Sequence, residues 1–159
     1  MNEQILSPES LLVVFKLNGT NFGIRGEKIR EVLDIVTITF VPRSPDFIAG
    51  IINVRGRILT ILDMANLLGL PSFSVDRNSK ILFLENNKMD IGFMVKSLEE
   101  VKKLSPSFPG TYPGPPLDIK FKGHLIEGTV DLDNKTINLL DVDRLFKFID
   151  EYDFNSSLV

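Results

Sequence analysis

Apolar and polar positions alternate over short runs along this chain, and Gly, Asn, Asp or Pro interrupt the runs at close intervals. That period predicts strands joined by tight turns, with few helices. Residues 11–17 (LLVVFKL) predict a strand, Asn18-Gly19-Thr20 a hairpin turn and residues 21–25 the returning strand. A brief helical turn is expected at 26–30. A long β-rich run follows at 31–41 (EVLDIVTITFV), ended by Pro42 and Pro45, which cannot donate to a ladder.

The densest apolar stretch is 47–70 (FIAGIINVRGRILTILDMANLLGL). It predicts strands at 48–54 and 58–62 about the turn Arg55-Gly56-Arg57. Both strands are apolar almost throughout, which indicates burial on two sides, as in a small barrel packed against a second body. Asp63 is placed to cap a short helix through Met64, Leu67 and Leu68, which Gly69 ends. Beyond the polar connector 71–79, strands are predicted at 80–85 and 89–95 about a turn at 86–88. Residues 97–104 fit a helical turn or a strand. The segment 105–116 (SPSFPGTYPGPP) is a Pro/Gly loop. A weak strand is expected at 119–125, then a hairpin of 126–132 and 136–140 about Asp133-Asn134-Lys135. Asp141 caps a last helix over 141–149.

The pattern repeats. An offset of 78 lays 48–68 on 126–146, matching Ile48 with Ile126, Gly50 with Gly128, Leu62 with Leu140, Asp63 with Asp141 and Leu67 with Leu145. An offset of 69 lays 11–24 on 80–93, with Gly23 on Gly92, and places Glu31-Val32 on Glu100-Val101. The Pro-rich loop absorbs the difference between the offsets. Each half therefore has one plan: hairpin, strand, hairpin, capped helix. The fold class expected is mainly β, two tandem five-stranded SH3-like or OB-like barrels with short capping helices. A barrel of about 70 residues is marginal alone, so the two should share a buried face. The boundaries are about 11–70 and 80–149 within one unit, 11–149, with exchange of terminal elements between halves allowed. Residues 1–10 and 150–159 are expected to be flexible tails.

Composition narrows the function. Apolar residues make up 43% of 159, enough for a core. A net charge of −3 argues against a nucleic-acid surface. The absence of cysteine excludes disulfides and thiolate-held zinc, and fits a reducing compartment without requiring one. No basic-then-apolar leader opens the chain, and no run approaches the roughly 20 apolar residues of a membrane span. An intracellular protein is expected. His124 is the single histidine, and no nucleophile or metal-ligand constellation accompanies it. No catalytic residue, metal or cofactor is expected. Asp63 and Asp141, at equivalent positions, read as helix caps rather than a catalytic pair.

Gly50, Asn53, Arg55, Gly56 and Asp63 fall within FVPRSPDFIAGIINVRGRILTILDMANLLGL (40–70). In that register the stretch resembles the CheW-like coupling domain of bacterial chemotaxis. Phe22–Ile24, the Glu-Val-Leu of 31–33 and the closing segment 126–146 match as well, so the resemblance spans 11–149. Two departures stand out: the second strand of the central hairpin lacks the proline many members carry, and the second half is more divergent. The resemblance implies two SH3-like subdomains packed side by side and no catalysis. It also implies binding to the cytoplasmic tip of chemoreceptors and to the regulatory domain of a CheA-type histidine kinase. The location implied is cytoplasmic, held at membrane receptor arrays through those partners.

For the residues themselves, Arg55 at a hairpin tip reads either as a solvated turn residue or as a fork that binds a partner's carboxylate or carbonyls. The resemblance favours the second. Asn53, Val54 and Gly56 belong to the same motif, with Asn53 and Gly56 shaping the turn. Glu31, Val32 and Leu33 read as an exposed acid beside two core residues, or by resemblance as part of the receptor-binding surface. Gly50 and Gly128 mark a bend or close approach, expected near the subdomain junction. Competing functions are the coupling half of a larger signalling protein, a non-flagellar chemosensory adaptor, an unrelated tandem-barrel peptide-binding module, a small enzyme and an oligonucleotide-binding barrel. No phosphorylatable receiver is expected, since only ten residues follow the last predicted helix.

Overall fold

The structure is a computed structural model and describes residues 11–103 and 123–152. The first hairpin is β1 (Leu11–Leu17) and β2 (Thr20–Arg25), followed by one 3-10 turn at Gly26–Lys28 and β3 (Ile29–Asp34). The central hairpin is β4 (Ile48–Val54) and β5 (Arg57–Leu62), closed by α1 (Met64–Leu68). The second half supplies β6 (Lys80–Leu84), β7 (Ile91–Val95), β8 (Ser97–Lys103), a 3-10 turn at Gly123–Leu125, β9 (Ile126–Leu132), β10 (Lys135–Leu140) and α2 (Val142–Glu151).

These strands form two five-stranded sheets, and neither comes from one contiguous half. Barrel I has the order β8-β1-β2-β10-β9, and barrel II the order β3-β6-β7-β5-β4. Each half gives its first hairpin to one barrel and its next three strands to the other. The pairings repeat in register. Val14 faces Glu100 where Phe83 faces Glu31. Leu139 lies beside Gly23 in a parallel pair where Ile61 lies beside Gly92.

Two-sided burial explains the unbroken apolar strands. Inside barrel I, Leu12, Val14, Val130, Ile137 and Leu139 cluster; inside barrel II, Ile52, Leu59, Ile61, Ile81 and Phe83 do the same. The other strand faces meet in a larger shared cluster. There Phe15 stands 5.9 Å from Phe22 and 5.5 Å from Phe93, ring centre to ring centre. Met64, Leu67 and Leu68 of α1 and Val142, Leu145, Phe146 and Ile149 of α2 fill the same seam. Each fully buried Leu or Phe contributes about 1.5–3 kcal/mol, so the seam stabilises both barrels at once.

Four expectations change. The β run predicted for 31–41 ends at Asp34, because its partner β6 begins at Lys80, opposite Asp34. Between that point and β4, the segment makes one isolated backbone bridge, Thr39 to Ile51 on β4, while Ile35 and Ile38 pack against the barrel II core. The ambiguous segment 97–104 is a strand through Lys103, paired with β1. In place of a strand, Gly123–Leu125 makes a 3-10 turn. The last helix runs to Glu151, into the segment expected as a tail, and Tyr152 packs edge-on against Phe47 at 4.9 Å. Expectations for 1–10, 105–116, 119–122 and 153–159 lie outside the described residues. Among the described residues, no helix is long and apolar enough to cross a membrane.

Candidate partner-binding site at the Arg55 hairpin tip

In β4–β5, Val54 pairs with Arg57, which leaves a two-residue loop, Arg55-Gly56. Both have left-handed backbones, with φ of +50° and +85°. Positive φ at both loop residues is the type I′ turn, whose twist matches the flanking strands. Glycine adopts that geometry freely. At Arg55 it carries strain, offset by the Gly56 N–H donating to Asn53 Oδ1 at 2.9 Å. Asn53 and Gly56 thus build the turn, and Arg55 stands at its apex with 69% of its side chain exposed.

The guanidinium does not float free. Its Nη1–H donates to Glu31 Oε2 at 3.2 Å, and its Nη2–H makes a second, shorter bond to Oε1. Glu31 is on β3 and Arg55 directly follows β4, and these are the first and last strands in the order of barrel II, so the fork ties the sheet's two ends together. The Arg55 hydrogen bond holds the Glu31 carboxyl below the usual glutamate range, aided by the charges of Arg55 and Arg30 and opposed by partial desolvation. That fork uses two of the five guanidinium N–H groups. Arg57 turns the other way. It forks onto Asp90 at 2.6 and 3.1 Å and lies over the Phe83 ring, shared with Arg30 on β3.

The other candidate residues divide. Val32 is exposed at 43%, whereas Leu33 and Val54 are half-buried against the core of barrel II. Gly50 is not at the seam between barrels. At φ +152° it sits where Thr39 crosses β4, and a Cβ there would collide with the Thr39 carbonyl. It closes barrel II on its own edge. Gly128 is buried in β9 opposite Leu139. Asp63 Oδ1 accepts from the Asn66 N–H, and Asp141 Oδ1 from the Arg144 N–H, both at 3.0 Å, at the starts of α1 and α2.

Sequence reasoning passed over Phe40 and Ile58, exposed at 68% and 53%. Ile58 faces Asn53 directly across the hairpin. Phe40 lies in the run predicted as a long strand and falls beyond the early end of β3; Ile58 lies near the hairpin tip, ahead of Thr60, where the pairing of β5 with β7 begins. A cleft of about 520 Å³ beside α2 is lined by His124, Arg144, Lys147, Phe148, Glu151 and Tyr152, none of them in the Arg55 motif. Among the described residues, no cluster of His, Cys, Asp or Glu is arranged to hold a metal ion.

The fold is two interleaved small barrels, with a charged hairpin tip on barrel II held by its turn and by the fork to Glu31. Comparison with known proteins gives the family. The chain belongs to the CheW-like domain family, whose model matches residues 11–150. It is 30% identical over 140 residues to the chemotaxis protein CheW of Thermotoga maritima, covering 85% of this chain and 86% of that one. It is 25% identical to the CheW of Bacillus subtilis, covering 89% and 88%. The crystal structure of the scaffolding protein CheW from Thermoanaerobacter tengcongensis matches 88% of this chain and 89% of that chain. Its TM-score is 0.74 at 27% identity.

Proposed function

We propose that this protein is a non-enzymatic adaptor that couples chemoreceptors to a CheA-type histidine kinase in chemotaxis. The observation that carries this is the CheW-like family match over 11–150, together with relatives named as chemotaxis CheW proteins over most of both lengths. The geometry supports it. A hairpin that fixes Arg55 by a type I′ turn and a fork to Glu31 offers three pre-oriented N–H donors at little entropic cost. Val32, Phe40 and Ile58 supply exposed apolar area on the same barrel. Such a protein changes kinase output by holding receptor and kinase in one geometry, biasing an existing equilibrium without chemistry of its own. It works in the cytoplasm, at the membrane only through its receptor.

Calorimetric titration tests this, first with a CheA-type regulatory domain and then with a receptor-tip helical hairpin. Micromolar or tighter binding to both at separate sites is the expected result. Binding to neither rejects the adaptor and leaves a double-barrel module of other function.

A further inference from the structure

The two barrels carry equivalent hairpin tips. Asp133 occupies in β9–β10 the place of Arg55 in β4–β5: Leu132 pairs with Lys135 as Val54 pairs with Arg57. The backbone is the same, with φ of +51° at Asp133 and +50° at Arg55. Glu100 stands across from Val14 as Glu31 stands across from Phe83. The scaffold repeats, but the charges do not. Lys102 is where Leu33 would be, 2.5 Å from Asp133 and 3.9 Å from Glu100, and Lys135, in the place of Arg57, is 3.7 Å from Glu100. Barrel I is tied end to end like barrel II, with the ion pair reversed: the acid is at the tip and the base is on the strand. Asp133 is 56% exposed, so the tip meets a partner with a carboxylate.

We infer that Asp133, held by Lys102, is a specificity-determining residue that bars barrel I from the partner bound by Arg55 on barrel II. The inference rests on the Arg55 reading above. A chain made of two barrels of one topology would offer such a partner two sites and two orientations. A partner carboxylate or carbonyl set to receive the Arg55 donors meets, at the same place on barrel I, an acceptor. Two acceptors face each other without a proton between them, and a carboxylate partner is repelled outright. Lys102 does not substitute, because its ammonium is engaged by Asp133 and rises from β8 instead of the tip. The Lys102 hydrogen bond also keeps Asp133 ionised below the usual aspartate range, so the barrier persists at neutral pH.

The test moves the tip chemistry. In the full chain, Asp133→Arg with Lys102→Leu gives barrel I the charge pattern of barrel II. The probe is whichever titrant, kinase regulatory domain or receptor-tip hairpin, loses affinity on Arg55→Ala. The native chain takes one equivalent of that probe, and the double variant is expected to take two. Added to Arg55→Ala, the same two substitutions are expected to recover at least about tenfold in affinity. Asp133→Asn alone, which keeps the shape and removes the charge, gives a weaker second equivalent and guards against misfolding of the double variant. One equivalent throughout, with no recovery, overturns the inference while leaving the Arg55 reading intact. If Arg55→Ala weakens neither titrant, the Arg55 reading fails and this inference with it.

Discussion

Barrels I and II share strand order, register and tip geometry, yet they differ in what they show to solvent. Barrel II raises an arginine backed by an acid, beside exposed Val32 and Ile58. Barrel I raises an acid backed by a lysine, beside exposed Val101. Buried positions are held alike because both barrels must fill an interior and one common seam, and packing tolerates little drift in volume. Tip residues bear no such constraint, so their chemistry can diverge while the ion pair that ties each sheet's ends is kept. On one hairpin, Asn53 and Gly56 make the turn, whereas the Arg55 side chain takes no part in the turn's hydrogen bond and its chemistry can change without removing it.

The largest expected effect breaks both barrels together. Phe93→Ala opens the seam beside Phe15 and should cost about 3–5 kcal/mol, the range for a buried aromatic truncated to Ala. Because the strands are exchanged, calorimetry should show one cooperative transition at a lower temperature. Two separate transitions would mean that the barrels fold independently. Next is Gly50→Ala, which puts a side chain at φ +152° against the Thr39 carbonyl and should cost about 1–3 kcal/mol in denaturant unfolding. Hydrogen exchange should localise that loss to β4 and its bridge, sparing barrel I.

Smaller still are the caps. Asp63→Ala and Asp141→Ala each remove one acceptor at a helix start, and each should lower stability by about 1 kcal/mol. Equal losses by chemical denaturation would show that the two halves use the cap identically. Smallest is the pH response. Glu31 and Asp133 both titrate below their ordinary ranges, mainly through hydrogen bonds from Arg55 and Lys102. Their stabilisation is complete above the unfolded-state values and is lost as pH falls through the lowered folded values. Carboxyl NMR titration should show Glu31 moving up in Arg55→Ala and Asp133 moving up in Lys102→Ala, each without the other.

Hairpin turns, capping aspartates and the two-sided burial of 48–54 and 58–62 were legible because each rests on local chemistry. The repeat was legible for the same reason, as identical elements recur in order. Which half pairs with which was not, since β3 and β8 carry matching patterns and either could complete either sheet. The β-branched run at 35–41 has strand propensity, but past Asp34 it finds only the single bridge of Thr39 to Ile51, and propensity yields to pairing. Arg55 could be singled out by its motif. Its fork to Glu31, 24 residues away, depends on sheet curvature that no local pattern encodes.

The central claim is that partner recognition sits on the Arg55 tip and not on its twin. It is tested most directly by measuring assembly of receptor tip, kinase regulatory domain and this protein with Arg55→Ala and, in parallel, Asp133→Ala. The account predicts that both variants stay folded, losing no more stability than one exposed ion pair supplies, that Arg55→Ala loses at least about tenfold in affinity for one partner, and that Asp133→Ala loses none. An undiminished ternary complex with Arg55→Ala, or an equal loss with Asp133→Ala, would contradict it.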